Sequence, residues 1–453
     1  MKHYDAVIIG FGKGGKTLAS ELAKHGKSVA VIEKSPDMYG GTCINIACIP
    51  TKSLVHSSNE RKYLEAPKNE FYKQAIEEKD KLTSFLRDKN FHMLDDKERI
   101  TVITGEATFV SDDKIQVKTK EEQFEVKAEH FFINTGSSPI TPPIDGLKNA
   151  DLVYNSTTLQ NLDTLPEKLI IIGGGYIGME FASIYANFGS EVTVIDSNKE
   201  LLPKEDRDIA EEVKKVLEAK GIKVEVNSKV ESIKNENGGV VVTYRVNNNS
   251  VELHGSAVLL ATGRKPNIEN LGLENTSVKV NERGAVVVDD LLKTTANNIW
   301  AIGDVNGGPQ FTYISLDDFR IVKGQLFGDG SYSKQERSNI PYSVFIDPVL
   351  SHVGLNEKEA KEKEIEYKVV SMPAAGIPRA RIIKQTEGLL KALIDPKTNA
   401  ILGCTLLCAE SNEMINIVRV AMEAKLPYTF LRDTIFTHPT MSESLNDLFS
   451  KVD

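Results

Sequence analysis

Two stretches of this chain repeat one tightly constrained pattern. In YDAVIIGFGKGGKTLASELAKHGKSVAVIEK, an apolar run at 6–9 feeds Gly10-x-Gly12-x-x-Gly15. Leu18, Leu22 and Ala23 then recur at helical spacing, and a second apolar run at 29–32 ends in Glu33. In KLIIIGGGYIGMEFASIYANFGSEVTVID, Gly173-x-Gly175-x-x-Gly178 leads a helical stretch and a strand ending in Asp196. From first glycine to terminal acid is 33 − 10 = 23 residues in one copy and 196 − 173 = 23 in the other. Strand, glycine turn, helix and strand in that order build a dinucleotide site. The first glycine turns tightly, the second lets backbone amides reach a pyrophosphate, and the third lets helix pack on strand. The terminal acid can accept hydrogen bonds from a ribose. A chain with two such units is expected to be α/β, with two Rossmann-like domains. Both glycine sets are complete, which favours two bound dinucleotides over one and a degenerate copy.

The 453 residues, 40% of them hydrophobic, are enough for several domains. A net charge of -9 without a long basic run argues against nucleic acid as a partner. No apolar stretch approaches the ~20 residues that span a bilayer. The opening MKHYDAVIIGFG ends in glycines rather than a cleavage site, so no signal peptide and a cytoplasmic location are expected. In that compartment a close cysteine pair is more often catalytic or metal-binding than structural.

Such a pair stands in GGTCINIACIPTK, at Cys43 and Cys48. Zinc is one explanation, but neither this pair nor Cys404 and Cys408 has histidines at knuckle spacing. Cys404 and Cys408, in GCTLLCAE, read as small buried hydrophobes on a strand. Inert thiols are a second explanation for Cys43 and Cys48, and a reducible bridge is a third. Residues five apart in an ideal helix have Cα atoms about 8.6 Å apart, beyond the roughly 4.4–6.8 Å of a disulfide. A bridge here therefore requires a distorted first turn and would be easily reduced. The helical residues that follow put the pair near a helix N-terminus, which is expected to lower a thiol pKa.

Together these motifs resemble the flavoprotein pyridine nucleotide–disulfide oxidoreductases, the family of glutathione reductase, lipoamide dehydrogenase and mercuric reductase. The resemblance spans the chain in order. Gly10–Gly15 with Glu33 is similar to an FAD site, and GGTCINIACIPTK to the redox-active box. INTGSSP and LLATGRKPN are similar to strand–turn segments, TTANNIWAIGD to the second FAD motif, and FTHPTMSES to the C-terminal His-Pro-x-x-x-Glu. Four stretches, MYGGTCINIACIPTK, GGPQFTYISLDDFRIV, AAGIPRARI and FTHPTMSESLNDLFS, most resemble the reactive-chlorine-resistance flavoproteins, regarded as hypothiocyanous acid reductases, with copper(II) reduction also proposed. The end LNDLFSKVD lacks the cysteine pair of mercuric reductase, and no N-terminal metal-binding domain is present, so mercury reduction is not expected.

The resemblance implies that NAD(P)H passes a hydride to FAD, which reduces a Cys43–Cys48 disulfide. Cys48 would face the flavin and Cys43 would attack substrate, with His438 as base oriented by Glu443. Lys52 and Glu180 would pair near the flavin. FAD would be held by Gly10, Gly12, Gly15, Glu33, Gly41, Thr42, Lys52, Thr135, Gly136 and Asp304. The nicotinamide nucleotide would be held by Gly173, Gly175, Gly178, Asp196 and Gly263, with Tyr176 as an aromatic gate. No bound metal is expected. Asp196, followed by Ser197 and Asn198 without an arginine, predicts a preference for NADH, against which Lys199 could act. The expected domains are 1–149 for FAD and the cysteines, 150–268 for NAD(P), 269–338 completing the FAD site, and 339–453 for dimerisation. A homodimer would share its active sites, His438 of one subunit serving Cys43 of the other. Ile415, Ile417, Val418, Val420, Ala421 and Met422 are expected to supply the interface stripe. The charged span 59–96 reads as long helices with largely solvated faces, Phe71, Ile76 and Leu82 among their apolar positions. Competing functions are a reductase of glutathione disulfide or lipoamide, a copper or mercury reductase, and a non-enzymatic FAD-bound subunit.

Overall fold

The computed structural model describes residues 1–61, 64 and 66–452. In chain order its α-helices are α1 (Lys13–Lys24), α2 (Thr42–Asn45), α3 (Cys48–Arg61), α4 (Lys68–Asp95), α5 (Tyr176–Phe188) and α6 (Arg207–Ala219). There follow α7 (Thr312–Phe327), α8 (Glu357–Glu362), α9 (Pro378–Ile382), α10 (Ser411–Glu423), α11 (Tyr428–Asp433) and α12 (Ser444–Phe449). Among the described residues no helix is long and apolar enough to cross a membrane.

Contacts divide the chain into two units. The first comprises Met1–Ser53, Ala75–Ile140 and Gly263–Arg337. Its main sheet runs Ile100–Thr104, Val29–Glu33, Lys2–Ile9, Gln123–Ile133, Lys114–Lys118, Glu106–Ser111, and Ile299–Ala301 also pairs with Gln123–Ile133. The inner strands are parallel, with Ala6 opposite Val29 and Ile9 opposite Ile32. Successive side chains point to opposite faces. Val7, Ile9, Ala30 and Ile32 therefore enter one core, while Ala6, Ile8, Val29 and Val31 enter another with Leu18, Ala19 and Leu22 of α1. A parallel sheet buried on both faces needs unbroken apolar strands, which is what AVII and VAVI supply.

The second unit comprises Leu54–Gln74, Thr141–Thr262 and Ser338–Asp453. A parallel sheet runs Lys223–Glu225, Glu191–Ile195, Lys168–Ile172, Ala257–Leu260, Val153–Asn155. A second, antiparallel sheet runs Tyr342–Val344, Leu350–Gly354, Ile401–Leu407, Leu389–Ile394, Lys368–Pro373. Helices α10 and α12 pack on it through Met414, Ile415, Val418, Leu445, Leu448 and Phe449, against Leu390, Ala392 and Leu406.

Two expectations are corrected here. The apolar stripe of α10 is core, not interface: Ile415, Val418, Ala421 and Met422 are buried within their own unit and Ile417 packs against the same cluster. Only Val420 of that set is exposed. Sequence periodicity marks an apolar face without saying what covers it. The span 59–96 is helical as expected, apart from residues 62, 63 and 65, which lie outside the described residues. Its faces are not simply solvated, since Tyr72, Ala75, Ile76, Lys79, Thr83 and Leu94 are buried along α4, whereas Leu82 is exposed and Phe71 half-buried.

Candidate active site

The two glycine motifs have the same steric origin. Gly10 has φ +103°, and a Cβ there would fall 2.3 Å from the carbonyl oxygen of Asn134; Gly173 has φ +111°, and a Cβ there would fall 2.5 Å from that of Ala261. Each turn is thus closed against the next parallel strand end, where only glycine fits. The helices that follow start at Gly12 and Gly175, neither of which supplies a side-chain cap. Gly15 N donates to Asn134 Oδ1 at 3.0 Å and Gly14 N to Ser315 Oγ at 3.1 Å, fixing the first turn of α1.

The terminal acids match as well. Glu33 accepts from Phe11 N (3.1 Å) and Ser35 N (3.3 Å). Asp196 accepts from Gly174 N (3.0 Å), Asn198 N (2.9 Å) and Asn198 Nδ2 (3.0 Å). Each acid ties the residue after its first glycine to the second residue after itself. Burial pushes the Glu33 carboxyl up, and its backbone donors only partly offset this. Lys199 is exposed.

The cysteine box follows two left-handed glycines, Gly40 and Gly41, the latter starting α2 at Thr42. Cys43 lies in α2 and Cys48 opens α3; the helix breaks between them at Ile46, with φ -140°. That break is the distortion a bridge across five residues requires. Both residues are free thiols here, half-buried. The Cys43 thiol donates toward Cys48 and is pushed well above the ordinary thiol range, first by that hydrogen bond and then by burial and by Cys48's charge. Cys43 stands in the first turn of α2 and Cys48 opens α3. Thr312 and Lys16 pull Cys43 the other way. Cys48 Sγ lies 3.4 Å from Thr312 Oγ1 at the start of α7.

Around this pair the INTG and ATGRKPN segments interlock. Thr135 Oγ1 donates to Asn267 O (2.7 Å), Asn267 Nδ2 to Thr135 O (2.9 Å), and Asn267 N to Gly136 O (2.9 Å). Gly263 O accepts from Ile140 N at 3.0 Å. Arg264 Nε donates to Ser137 Oγ (2.9 Å), which donates to Asp304 Oδ2 (2.7 Å). Lys52 stands on α3 within the first unit.

In the second unit, Glu180 is buried on α5, and its Oε1 accepts from Phe345 N at 2.8 Å. Gly178 lies two residues before it, its Cβ position blocked 2.0 Å from Gly173 O. Tyr176 opens α5, stacks on Tyr342 and donates to Glu205, so it is packed by two side chains the motifs do not reveal. His438 Nδ1 lies 2.8 Å from Glu443 Oε2, while Glu443 Oε1 accepts from Thr440 N. The His438 side chain is 70% exposed, and Ile435, 97% exposed, stands three residues before it. Cys404 and Cys408 are buried, one on the Ile401–Leu407 strand and one just beyond, and burial pushes Cys408 up to about 12.

Sequence reasoning missed Lys16, Asn134, Arg264, Thr312, Glu205 and Tyr342. Lys16 stood in the quoted GFGKGGK, Asn134 in INTGSSP, Arg264 in LLATGRKPN and Thr312 in GGPQFTYISL; Glu205 and Tyr342 lie outside the quoted motifs. Among the described residues, a group with metal-ligand chemistry is Asp206, Asp208 and Glu357. The Lys391 ammonium fills it, at 3.0, 2.9 and 2.5 Å.

The model of the pyridine nucleotide-disulphide oxidoreductase family matches residues 4–318, and that of its dimerisation domain residues 340–449. A probable pyridine nucleotide-disulfide oxidoreductase, RclA, of Escherichia coli K12 is 52% identical, covering 100% of both chains. A mercuric reductase of Lysinibacillus sphaericus is 33% identical over 98% of this chain and 81% of its own. A solved Cu(II) complex of the HOCl-induced flavoprotein disulfide reductase RclA from E. coli superposes with a TM-score of 0.95, at 51% identity and 100% coverage of each chain. The chain therefore belongs to the pyridine nucleotide–disulfide oxidoreductases and is an enzyme of the flavoprotein disulfide reductase type, with two Rossmann-like domains and a C-terminal dimerisation domain.

Proposed function

We propose that this enzyme carries electrons from NAD(P)H through FAD and the Cys43–Cys48 pair to a small electrophilic oxidant, hypothiocyanous acid. The observation that carries the reading is the dithiol itself: Cys43 donates toward Cys48 across a broken helix, so the two sulfurs are set to exchange protons and to close. The full-length likeness to an HOCl-induced reductase supports an oxidant of the same kind.

FAD and NAD(P)H are implied by the family, and the residues present fit the first. Glu33 is a buried carboxylate whose backbone donors do not offset its burial, and ribose hydroxyls would add donors to it. Bound FAD would supply two-electron transfer between nicotinamide and disulfide. Gly10, Gly12, Gly15, Gly41, Thr42, Thr135, Gly136 and Asp304 would line its site, with Lys52 and Glu180 steadying charge near its ring. Gly173, Gly175, Gly178, Asp196 and Gly263 would hold the nicotinamide nucleotide beside Tyr176. Domain limits near 149, 268 and 338 belong to the same reading.

The Cys43 thiolate attacks the sulfur of HOSCN, forming an S–S bond as hydroxide leaves. The Cys48 thiolate then attacks the Cys43 sulfur, closing the disulfide and expelling thiocyanate. Two thiolates and HOSCN thus give one disulfide, SCN⁻ and OH⁻, and two electrons from NAD(P)H reopen the bridge. A thiolate is the nucleophile, and Cys43 is held protonated by its neighbours, so a base must take its proton. His438, with Nδ1 engaged by Glu443, offers Nε2 for this, and the exposure of its ring suits service to a partner subunit.

NADH is the proposed donor. Asp196 is buried and fixed, and a carboxylate there accepts from a 2′-OH and repels a 2′-phosphate. A metal-ion reductase is the second reading, favoured by the relative solved as a Cu(II) complex. One panel separates these. NADH and NADPH consumption is followed with HOSCN, Cu(II), glutathione disulfide and lipoamide. The highest kcat/KM on HOSCN with NADH is expected; a disulfide or Cu(II) as best acceptor overturns the substrate, and faster turnover with NADPH overturns the donor.

A further inference from the structure

Lys16, in the second turn of α1, is 5% exposed. Burying an ammonium is expensive unless opposite charge meets it. Lys391 shows how this chain handles the problem elsewhere: at 2% exposed it is met by Asp206, Asp208 and Glu357. Lys16 has no such partner. Among the described residues no carboxylate forms an ion pair with it, and its Nζ donates instead to the neutral Asn90 Oδ1 on α4. Asn90 is fixed in that orientation because its Nδ2 donates to Leu86 O at the same time. Asn90 also lies against the cysteine box: a Cβ on Gly40, three residues before Cys43, would come 3.3 Å from Asn90 Cγ. The amide that holds the lysine thus packs on the segment that leads into the reactive sulfur.

The charges agree with this placement. Burial pulls the Lys16 amine down to about 8, helped by Lys13, while Cys43 acts to raise it; reciprocally, Lys16 acts to lower Cys43. Other described groups that act on the pair include Thr312 and Tyr313 of α7 and Arg264, itself linked to Asp304 through Ser137.

We propose that Lys16 is the standing counter-charge of the Cys43–Cys48 pair, a buried cation left without a carboxylate so that its charge is available to the thiolate that forms when the pair ionises. The proposal rests on the redox role given to these cysteines. It identifies Lys16 as a positioning residue, held by Asn90, that offsets the upward push of Cys48 and burial on Cys43. Two thiols so close resist ionisation, and a nearby fixed cation lowers the cost of forming the thiolate once a base takes the proton. A carboxylate beside Lys16 would cancel that field, which accounts for a neutral amide as its partner.

The test reads thiolate rather than turnover. In the reduced holoenzyme, alkylation of Cys43 by iodoacetamide is followed against pH by peptide mass spectrometry, for wild type, Lys16→Met and Asn90→Asp. FAD content and FAD affinity are measured on the same samples. Lys16→Met removes the cation; Asn90→Asp keeps it but pairs it, so it reads out even if the first variant fails to fold. In both, the apparent pKa of Cys43 should rise by about one unit, roughly a tenfold loss of thiolate at neutral pH, with FAD retained. A pH profile that superposes on wild type in either folded variant overturns the proposal. So does loss of FAD with an unchanged Cys43 profile after refilling, since Lys16 would then serve the cofactor. Should HOSCN prove not to be the substrate, the Cys43 profile still decides the role of Lys16.

Discussion

The Tyr176 hydroxyl donates to Glu205 Oε1 at 2.5 Å, and the Tyr342 hydroxyl donates to the same oxygen at 2.7 Å. One buried carboxylate thus fixes both members of a stacked aromatic pair at the start of α5. Burial, and next the Glu205 charge, push both phenols above their ordinary range, so they remain donors at every working pH. Glu205→Ala removes the shared acceptor of two half-buried hydroxyls, at a cost of about 1–3 kcal/mol in all. A drop in unfolding midpoint is expected in chemical denaturation, with a smaller drop for Glu205→Gln. If Tyr176 also gates the nicotinamide site, KM for NADH should change more than KM for the oxidant.

Cys43→Ser and Cys48→Ser should each abolish turnover, whereas Cys404→Ser and Cys408→Ser should keep it. The latter pair are buried packing atoms, and a serine hydroxyl there costs stability of about 1–3 kcal/mol rather than activity. Cys43→Ser should retain a long-wavelength flavin–thiolate absorption from Cys48. Its loss in Cys43→Ser and retention in Cys48→Ser would exchange the two roles.

Lys391 is held by Asp206 and Asp208 at the start of α6 and by Glu357 of α8, tying those helices to the Leu389–Ile394 strand. Lys391→Met should destabilise by about 3–5 kcal/mol, because it leaves the buried Asp206 carboxylate without its cation. The pH dependence has two sides. Burial opposes the Lys391 charge, but the three carboxylates raise its pKa overall, so its contribution is complete below the unfolded value of about 10.4 and fades only as pH rises through the folded value. Burial likewise opposes the Glu357 charge, yet Lys391 and Tyr367 hold its pKa low, so its contribution is lost as pH falls through that lowered value. Urea midpoints from pH 3 to 8 should therefore drop at the acid end in wild type. The Lys391→Met curve should be flatter there.

A homodimer, supported by the match to the dimerisation domain, makes a sharper prediction about His438. Its exposed ring and the bare side chain of Ile435 mark the surface expected to be covered. Ile435→Glu should weaken the dimer, read by sedimentation equilibrium. Cys43→Ser and His438→Ala subunits, each inactive alone, should regain part of the activity as verified heterodimers through one intact hybrid site. Full activity in a monomer, or heterodimers without rescue, sinks the shared site.

What the sequence determined by itself was everything written in short-range pattern. The two strand–glycine–helix–strand units are legible because each needs its glycines and its acid at fixed separation along a single βαβ segment. His438 and Glu443 are legible for the same reason, five residues apart on one turn, as is the burial of Cys404 on an apolar strand. The tertiary structure decided the rest, because it depends on residues that meet across the chain. Asn134 reaches Gly15 from 119 residues away and Ser315 reaches Gly14 from 301. The apolar stripe of α10 has the same periodicity whether a sheet or a second subunit covers it, and only packing showed the sheet. Lys391 and Lys16 look alike as letters. One lies among three carboxylates and the other against a neutral amide, and that difference in surroundings sets what each charge can do.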